Sequence, residues 1–331
     1  MSSDQVRYRW RMLRAGPIKL DGGGMFGLIP RVVWSKSITP DDRHRITLAH
    51  NCLLLTRTDE HGQTHRILIE TGSGDKLDPK MRDIFGITDY TIIQALEDAG
   101  CPCEEIDHVI VSHLHFDHAG GLTRQVRAGE KADWTDGNES VKLTFPNARV
   151  IAQSQEWHDA LANNSVMTRT YYRDHLDPIR NQLQLVESPN PFATRKPTAP
   201  PWDSSHPNKD ALPTTSFFDR TTQVLTGISI FLVPGHTWGQ QAILFTDENN
   251  QTIVFTPDIL PTIHHVGAAY NLAYDVEPYI STLTRRWFLD EAAKNNWLLY
   301  LDHEPGNPLV RVKPDGKGWY KLEPQKADEN G

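Results

Sequence analysis

Apolar and polar residues alternate from the start of the chain. Val6, Tyr8, Trp10 and Met12 interleave with Arg7, Arg9 and Arg11, the period-two pattern of a half-buried strand. Apolar runs at 46–56 (ITLAHNCLLLT) and 65–71 (HRILIET), joined by DEHGQ, predict two strands and a glycine turn. The preceding stretch 20–34, LDGGGMFGLIPRVVW, reads as a loop, because three consecutive glycines allow a tight or flexible path. Its Met25, Phe26, Leu28 and Ile29 either tuck onto the core or form an apolar flap over a pocket.

Residues 88–100 predict a helix with Ile92, Ile93, Leu96 and Ala99 on one face, capped by Thr88 or Asp89 and ended by Gly100. DHVIVS (107–112) reads as a buried strand, and VKLTF and ARVIAQ as further strands. Residues 154–185 read as helical, anchored by Trp157, Leu161, Leu176, Ile179 and Leu183. Seven prolines within 187–216 mark a long loop or insertion. Strands resume at 228–234, 241–246 and 252–257. Val276, Ile280, Leu283 and Trp287 then outline an amphipathic helix, and 296–304 a last apolar strand. This order predicts an α/β or α+β class, with sheets covered by helices, in a single domain spanning 1–331.

Composition narrows the setting. At 38% hydrophobic and 23% charged, the chain suits a soluble globular protein. Its 34 basic and 42 acidic residues, net −8, disfavour nucleic acid and anionic membranes as partners. Three cysteines, Cys52, Cys101 and Cys103, make no disulfide framework, so a reducing compartment, the cytoplasm, is expected. Cys101-Pro-Cys103 reads as a turn after the helix. No run approaches the ~18 apolar residues of a membrane span, and the Arg-rich start reads as a strand rather than a targeting signal.

The candidate chemistry lies in SHLHFDHAGG, 112–121, with His113, His115, Asp117 and His118. Imidazole nitrogen and carboxylate oxygen are the donors of zinc and similar divalent metals. Fifteen histidines make a local excess unremarkable, so a metal site needs donors elsewhere. His113, His236, Asp258 and His303 each follow an apolar predicted strand. If those strands are parallel or lie in facing sheets, their ends converge on one edge, where sites in layered α/β folds sit.

H-x-H-x-D-H after a buried strand, then GHT, an Asp after an apolar strand and a late His together resemble the metallo-β-lactamase superfamily, over roughly residues 40–305. The resemblance implies a four-layer αβ/βα sandwich with metals at one edge between two sheets. It implies two divalent ions, zinc first, with Mn2+, Fe2+ or Co2+ as alternatives. By that resemblance His113, His115 and His236 bind the first metal, Asp117, His118 and His303 the second, and Asp258 bridges them. PGHTWGQQAILF and TPDILPTIHH resemble the branch of quorum-quenching lactonases and methyl-parathion-type hydrolases, and LDGGGMFGLIP resembles a pocket-bordering loop of that branch. Three positions depart from the pattern. Glu70 stands where an Asp before Thr-Gly is usual. Trp238 and Gln240 replace residues of G-H-T-P-G-H. Pro261 stands where small lactonases place a Tyr, so a phenol that polarises the carbonyl comes from elsewhere, with Tyr270 the candidate, or is absent.

Two divalent cations sharing a water lower its pKa from 15.7 to about 7 or below. The expected reaction is attack of that bridging hydroxide on a lactone or ester carbonyl of a largely apolar small molecule, with Asp258 or Asp117 taking the proton. His264 or His265 is a candidate to face the pocket and bond substrate or leaving group, and His265 is taken as catalytic with the two aspartates. Phe26, Leu28, Ile29, Trp34, Phe116, Trp238 and Tyr270 are the pocket candidates; Arg169, Tyr171 and Tyr172 are weaker ones. The alternatives are organophosphate triester hydrolysis, a mononuclear iron sulfur dioxygenase and a non-catalytic binding protein. A homodimer is left open.

Overall fold

Val109 and Val111 turn to one face of their strand and Ile110 to the other, and the same alternation separates Val254 from Phe255 and Leu299 from Tyr300. Each strand therefore feeds two cores, which requires sheets covered on both faces. The computed structural model of this chain describes residues 6–167, 169–192 and 216–326. Most of the proline-rich stretch 187–216 lies outside them.

One sheet has six strands, in spatial order Arg9–Asp21, Arg45–Thr58, Thr64–Ile69, His108–Ile110, Arg149–Gln153 and Leu183–Val186. A second has seven, running Thr222–Leu225, Ile228–Leu232, Gln241–Thr246, Thr252–Thr256, Leu298–Leu301, Leu309–Pro314 and Tyr320–Pro324. Leu53, Leu55, Ile67 and Ile110 of the first pack against Ile230, Ile243, Phe255 and Tyr300 of the second. The helix Ile92–Asp98, with Trp157 and Ala160 of the helix Ser154–Ala162, covers the outer face of the first sheet. Trp287, Phe288 and Ala292 of the helix Pro278–Lys294 cover the second. The result is the αβ/βα sandwich, a mixed α/β fold.

Several elements differ from the sequence expectation. The glycine run forms a short helix, Gly22–Phe26, because Asp21 accepts a hydrogen bond from the Gly24 N–H at 2.9 Å. The predicted helix at 88–100 begins at Ile92. Its cap is Thr91, not Thr88 or Asp89, in a reciprocal box with Gln94. Val276 precedes the long helix rather than joining it, with its N–H bonded to the His236 carbonyl at 3.1 Å. The stretch 154–185 breaks after Ala162 and ends in a strand. Leu298–Leu301 is followed by two further strands, which cover the edge that a last strand would leave open. Among the described residues no helix is long and apolar enough to cross a membrane.

Candidate metal centre

Strand direction gathers the site. Thr252–Thr256 pairs parallel with Leu298–Leu301, so Asp258 and His303 emerge at one edge. Thr64–Ile69 pairs parallel with His108–Ile110, which brings Glu70 and Ser112–His113 out together. Hydrogen bonds then join the sheets at that edge: the Asn51 side-chain amide donates to the carbonyls of Leu301 at 2.9 Å and Glu304 at 2.8 Å, and the Gln241 amide to that of Val111 at 2.7 Å. A single-turn helix, Phe116–Ala119, places Asp117 and His118 just beyond His115.

The structure brings all seven proposed ligands together, each buried. Asp258 lies at the centre. Its Oδ2 is 3.6 Å from His113 Nε2, 3.5 Å from His118 Nε2 and 3.1 Å from His236 Nε2, and its Oδ1 is 3.4 Å from His303 Nε2. His236 Nε2 is 3.0 Å from His115 Nδ1. Asp117 Oδ2 lies 3.8 Å from His118 Nε2 and 3.7 Å from His303 Nε2. Two groups of four donors, each within 4.8 Å, share Asp258: His113, His115 and His236 in one, His118, Asp302 and His303 in the other. His113 Nε2 and Asp258 Oδ1 are buried without a hydrogen-bond partner. Convergent lone pairs of this kind repel one another unless a cation lies among them, so the donor set fits a pair of divalent metals.

The far side of most rings is held. His236 Nδ1 donates to Asp275 at 2.9 Å, and His303 Nδ1 to the Ala49 carbonyl at 2.9 Å. Such bonds fix the tautomer and leave Nε2 free to bind metal. Glu70 pairs with His118 by charge: one oxygen is 3.3 Å from Nδ1, while the other accepts the Ser112 N–H at 2.6 Å. The longer arm therefore reaches both groups. Its backbone is left-handed, φ 67°, a strained conformation for a residue with a side chain. It is held between the Glu70 N–H bond to the Ile110 carbonyl and the double capture of the His118 carbonyl by Thr71.

Charge divides the imidazoles. Burial, reinforced by neighbouring rings, pushes His113 and His115 well below the usual histidine range. Burial also pulls on His236, but Asp258 and Asp275 outweigh it and raise its pKa to about 10. His118 is raised in the same way, by Asp117 and Glu70 against burial. For Asp258, His236 and His303 overcome burial and hold the carboxyl well below its usual range.

Beside the cluster opens a cavity of ≈ 290 Å³. Asp117, His115, His236, Asp258 and His303 form its floor; Met25, Phe85, Phe116 and Leu272 its apolar wall; Lys19, Arg43 and Arg45 lie in the wall as well. Of the pocket candidates only Phe116 lines it. Phe26, Trp34 and His265 form a stack beneath, with ring centroids 5.3 Å and 4.8 Å from Phe26, and Met25 takes the wall position instead. Tyr270 meets the edge of Phe26. Leu28 is 92% exposed, thrown outward after Gly27. Trp238 lines a separate groove with Gln153 and His158, because the Thr237 hydroxyl is bonded inward to Glu156 at 2.6 Å. His264 is half-buried off the cavity wall. His265 has no exposed surface: the Thr262 hydroxyl is 2.8 Å from its Nδ1 and the Met25 carbonyl 2.9 Å from its Nε2, so it has no path to a substrate.

Sequence reasoning missed three residues here. Tyr274 places the only phenol among the described residues on the cavity wall. Asp302 enters the second donor group. Glu156, fully buried, accepts the Leu114 N–H at 2.9 Å, the Tyr171 hydroxyl at 3.3 Å and the Thr237 hydroxyl, tying the 113–118 and 236–240 loops together. A glutamate on a helix ordinarily signals solvent, so no pattern marked it.

The family model for the metallo-beta-lactamase superfamily matches residues 45–303. No curated protein matches the chain. Among solved structures it is similar to a probable metal-dependent hydrolase from Staphylococcus aureus, at 25% identity and TM-score 0.72, covering 97% of this chain and 98% of that one. It is also similar to AidC, a dizinc quorum-quenching lactonase solved with its product N-hexnoyl-L-homoserine, at 20% identity and TM-score 0.67, covering 99% and 100%. The hydrolase AbOPH matches at 17% identity and TM-score 0.66, covering 98% and 100%. At such identities the last two speak for the fold alone.

Proposed function

This chain belongs to the metallo-beta-lactamase superfamily, and from that premise we propose that it is a two-metal hydrolase of lactones or esters with an apolar part. The observation that carries the reading is the pair of four-donor groups sharing Asp258. A mononuclear iron enzyme would have no use for the second group. Divalent cations held by these two groups would supply an acidified water and an electrophile for the carbonyl oxygen.

The chain's own residues do the rest. Met25, Phe85, Phe116 and Leu272 receive the apolar part and exclude water from the scissile bond. The Tyr274 and Thr170 hydroxyls, the neutral donors of the wall among the described residues, orient the polar end. Tyr274 stays protonated, since burial and the nearby Asp21 push its pKa up. Asp117 faces the cavity and takes the proton released on attack, then returns it to the leaving alkoxide. This last role and the lactone preference rest on the resemblance to the lactonase branch.

The test is a hydrolysis panel on zinc-loaded protein: an acyl-homoserine lactone, an aryl ester, a phosphotriester and a cephalosporin, with Asp258→Asn as control. Turnover of the lactone or ester, lost in the variant, supports the reading. Turnover of neither refutes it, and oxygen consumption on a persulfide with about one iron per chain would replace it.

A further inference from the structure

Asp302 directly precedes His303 where Leu298–Leu301 ends. Its backbone is spent on the sheet edges, the N–H on the Thr256 carbonyl at 3.2 Å and the carbonyl on the Asn51 N–H at 2.8 Å. Its side chain is not so placed. The residue is 2% exposed and neither carboxylate oxygen has a hydrogen-bond partner. Ionisable groups beside it include Asp258, His118, Glu70 and Asp117, and the Cys52 thiol. A buried carboxyl group without a hydrogen-bond partner is costly to hold in a protein interior. One oxygen nevertheless lies within 4.8 Å of the ligand atoms of His118, Asp258 and His303.

The two halves thus differ in donor chemistry. The first offers three imidazoles, His113, His115 and His236, and the shared Asp258, the nitrogen-rich set that tetrahedral zinc accepts. The second offers two imidazoles with Asp258 and Asp302, and a third carboxylate, Asp117, stands beside the group, its Oδ2 3.8 Å from His118 Nε2 and 3.7 Å from His303 Nε2. Five donors and one open position suit a six-coordinate ion that favours oxygen. We propose that Asp302 is a fifth ligand of the second cation, and that this half takes an oxygen-preferring divalent ion such as manganese(II) while the first keeps zinc. The proposal rests on the two-metal reading above and goes beyond its seven ligands.

The test uses full-length protein stripped of metal, reloaded with one equivalent of zinc and titrated with manganese(II), free manganese being read by electron paramagnetic resonance. Wild type should bind one manganese per chain with the zinc retained. Asp302→Asn, nearly isosteric, should weaken manganese binding by about tenfold or more and leave zinc retention unchanged. Thermal melts of metal-free Asp302→Asn and Asp302→Ala guard against misfolding. Both should melt no lower than wild type, because the Asp302 carboxyl makes no hydrogen bond that the variants could lose. Unchanged manganese affinity in Asp302→Asn overturns the proposal, as does a lowered metal-free melt with unchanged affinity, which would make Asp302 purely structural. Displacement of the manganese by a second zinc overturns the selectivity. A wild-type protein that binds neither metal sinks the two-metal reading itself, and this proposal with it.

Discussion

Replacing Glu156 by alanine removes the acceptor shared by two metal-ligand loops. The Leu114 N–H, 2.9 Å from Oε1, lies between His113 and His115, and the Thr237 hydroxyl, 2.6 Å from Oε2, follows His236. Each buried donor left unpaired costs about 1–3 kcal/mol. The Tyr171 hydroxyl, at 3.3 Å, adds less. Relief of the buried charge, whose desolvation raises the Glu156 pKa, offsets part of this, so a net loss of about 2–4 kcal/mol is expected. Glutamine behaves differently. Its oxygen can face the Leu114 N–H while its amide donates to the Thr237 oxygen, so Glu156→Gln should lose only about 1 kcal/mol. With the loops loosened, zinc affinity of the alanine variant should fall about 10–100-fold. Urea denaturation of metal-free protein and zinc competition against a chromophoric chelator measure both effects. An alanine variant within about 0.5 kcal/mol of wild type, with unchanged zinc affinity, would refute the reasoning.

Gly120→Ala should cost about 1–3 kcal/mol by thermal melting, because its Cβ would overlap the Ser73 carbonyl, which is backbone and cannot swing aside. Acid should weaken the metal-free fold between pH 6.5 and about 3, since burial lowers the His265 pKa to about 3. Within that window the unfolded chain binds a proton that the folded ring refuses, so stability is full above 6.5 and falls as pH drops. His50, lowered to about 4 by burial and then by His303, adds to the slope. His265→Gln should make the slope of stability against pH shallower by up to about 1.4 kcal/mol per pH unit; an unchanged slope would show that His265 is not buried neutral. Phe116→Ala enlarges the cavity wall and should raise KM for apolar substrates more than it lowers kcat, as steady-state kinetics on a long-chain and a short-chain ester would show.

The strands were legible where short apolar runs were rich in β-branched residues, as in 107–112 and 252–257. The ligands were legible because His236, Asp258 and His303 each sit just past such a run. The pocket wall was not. Met25 and Phe26 are adjacent and both apolar, and only the short capped helix decides that Met25 faces the cavity while Phe26 stacks on His265. Trp238 could not be placed without the Thr237–Glu156 bond, a contact 81 residues apart in sequence. Glu156 and Asp302 carry no local signal at all, since their burial is set by what the opposite layer brings to them. The short edge strand Thr222–Leu225 and the last two strands also escaped notice, being too short or too polar to show alternation.

The central claim is that Asp258 joins two metal positions into one centre. Metal analysis of protein stripped, reloaded with excess zinc and dialysed tests it most directly, with Asp258→Asn alongside. The account predicts two metals per chain in wild type and at most one in the variant. One metal per chain in wild type, or two in both proteins, would contradict it.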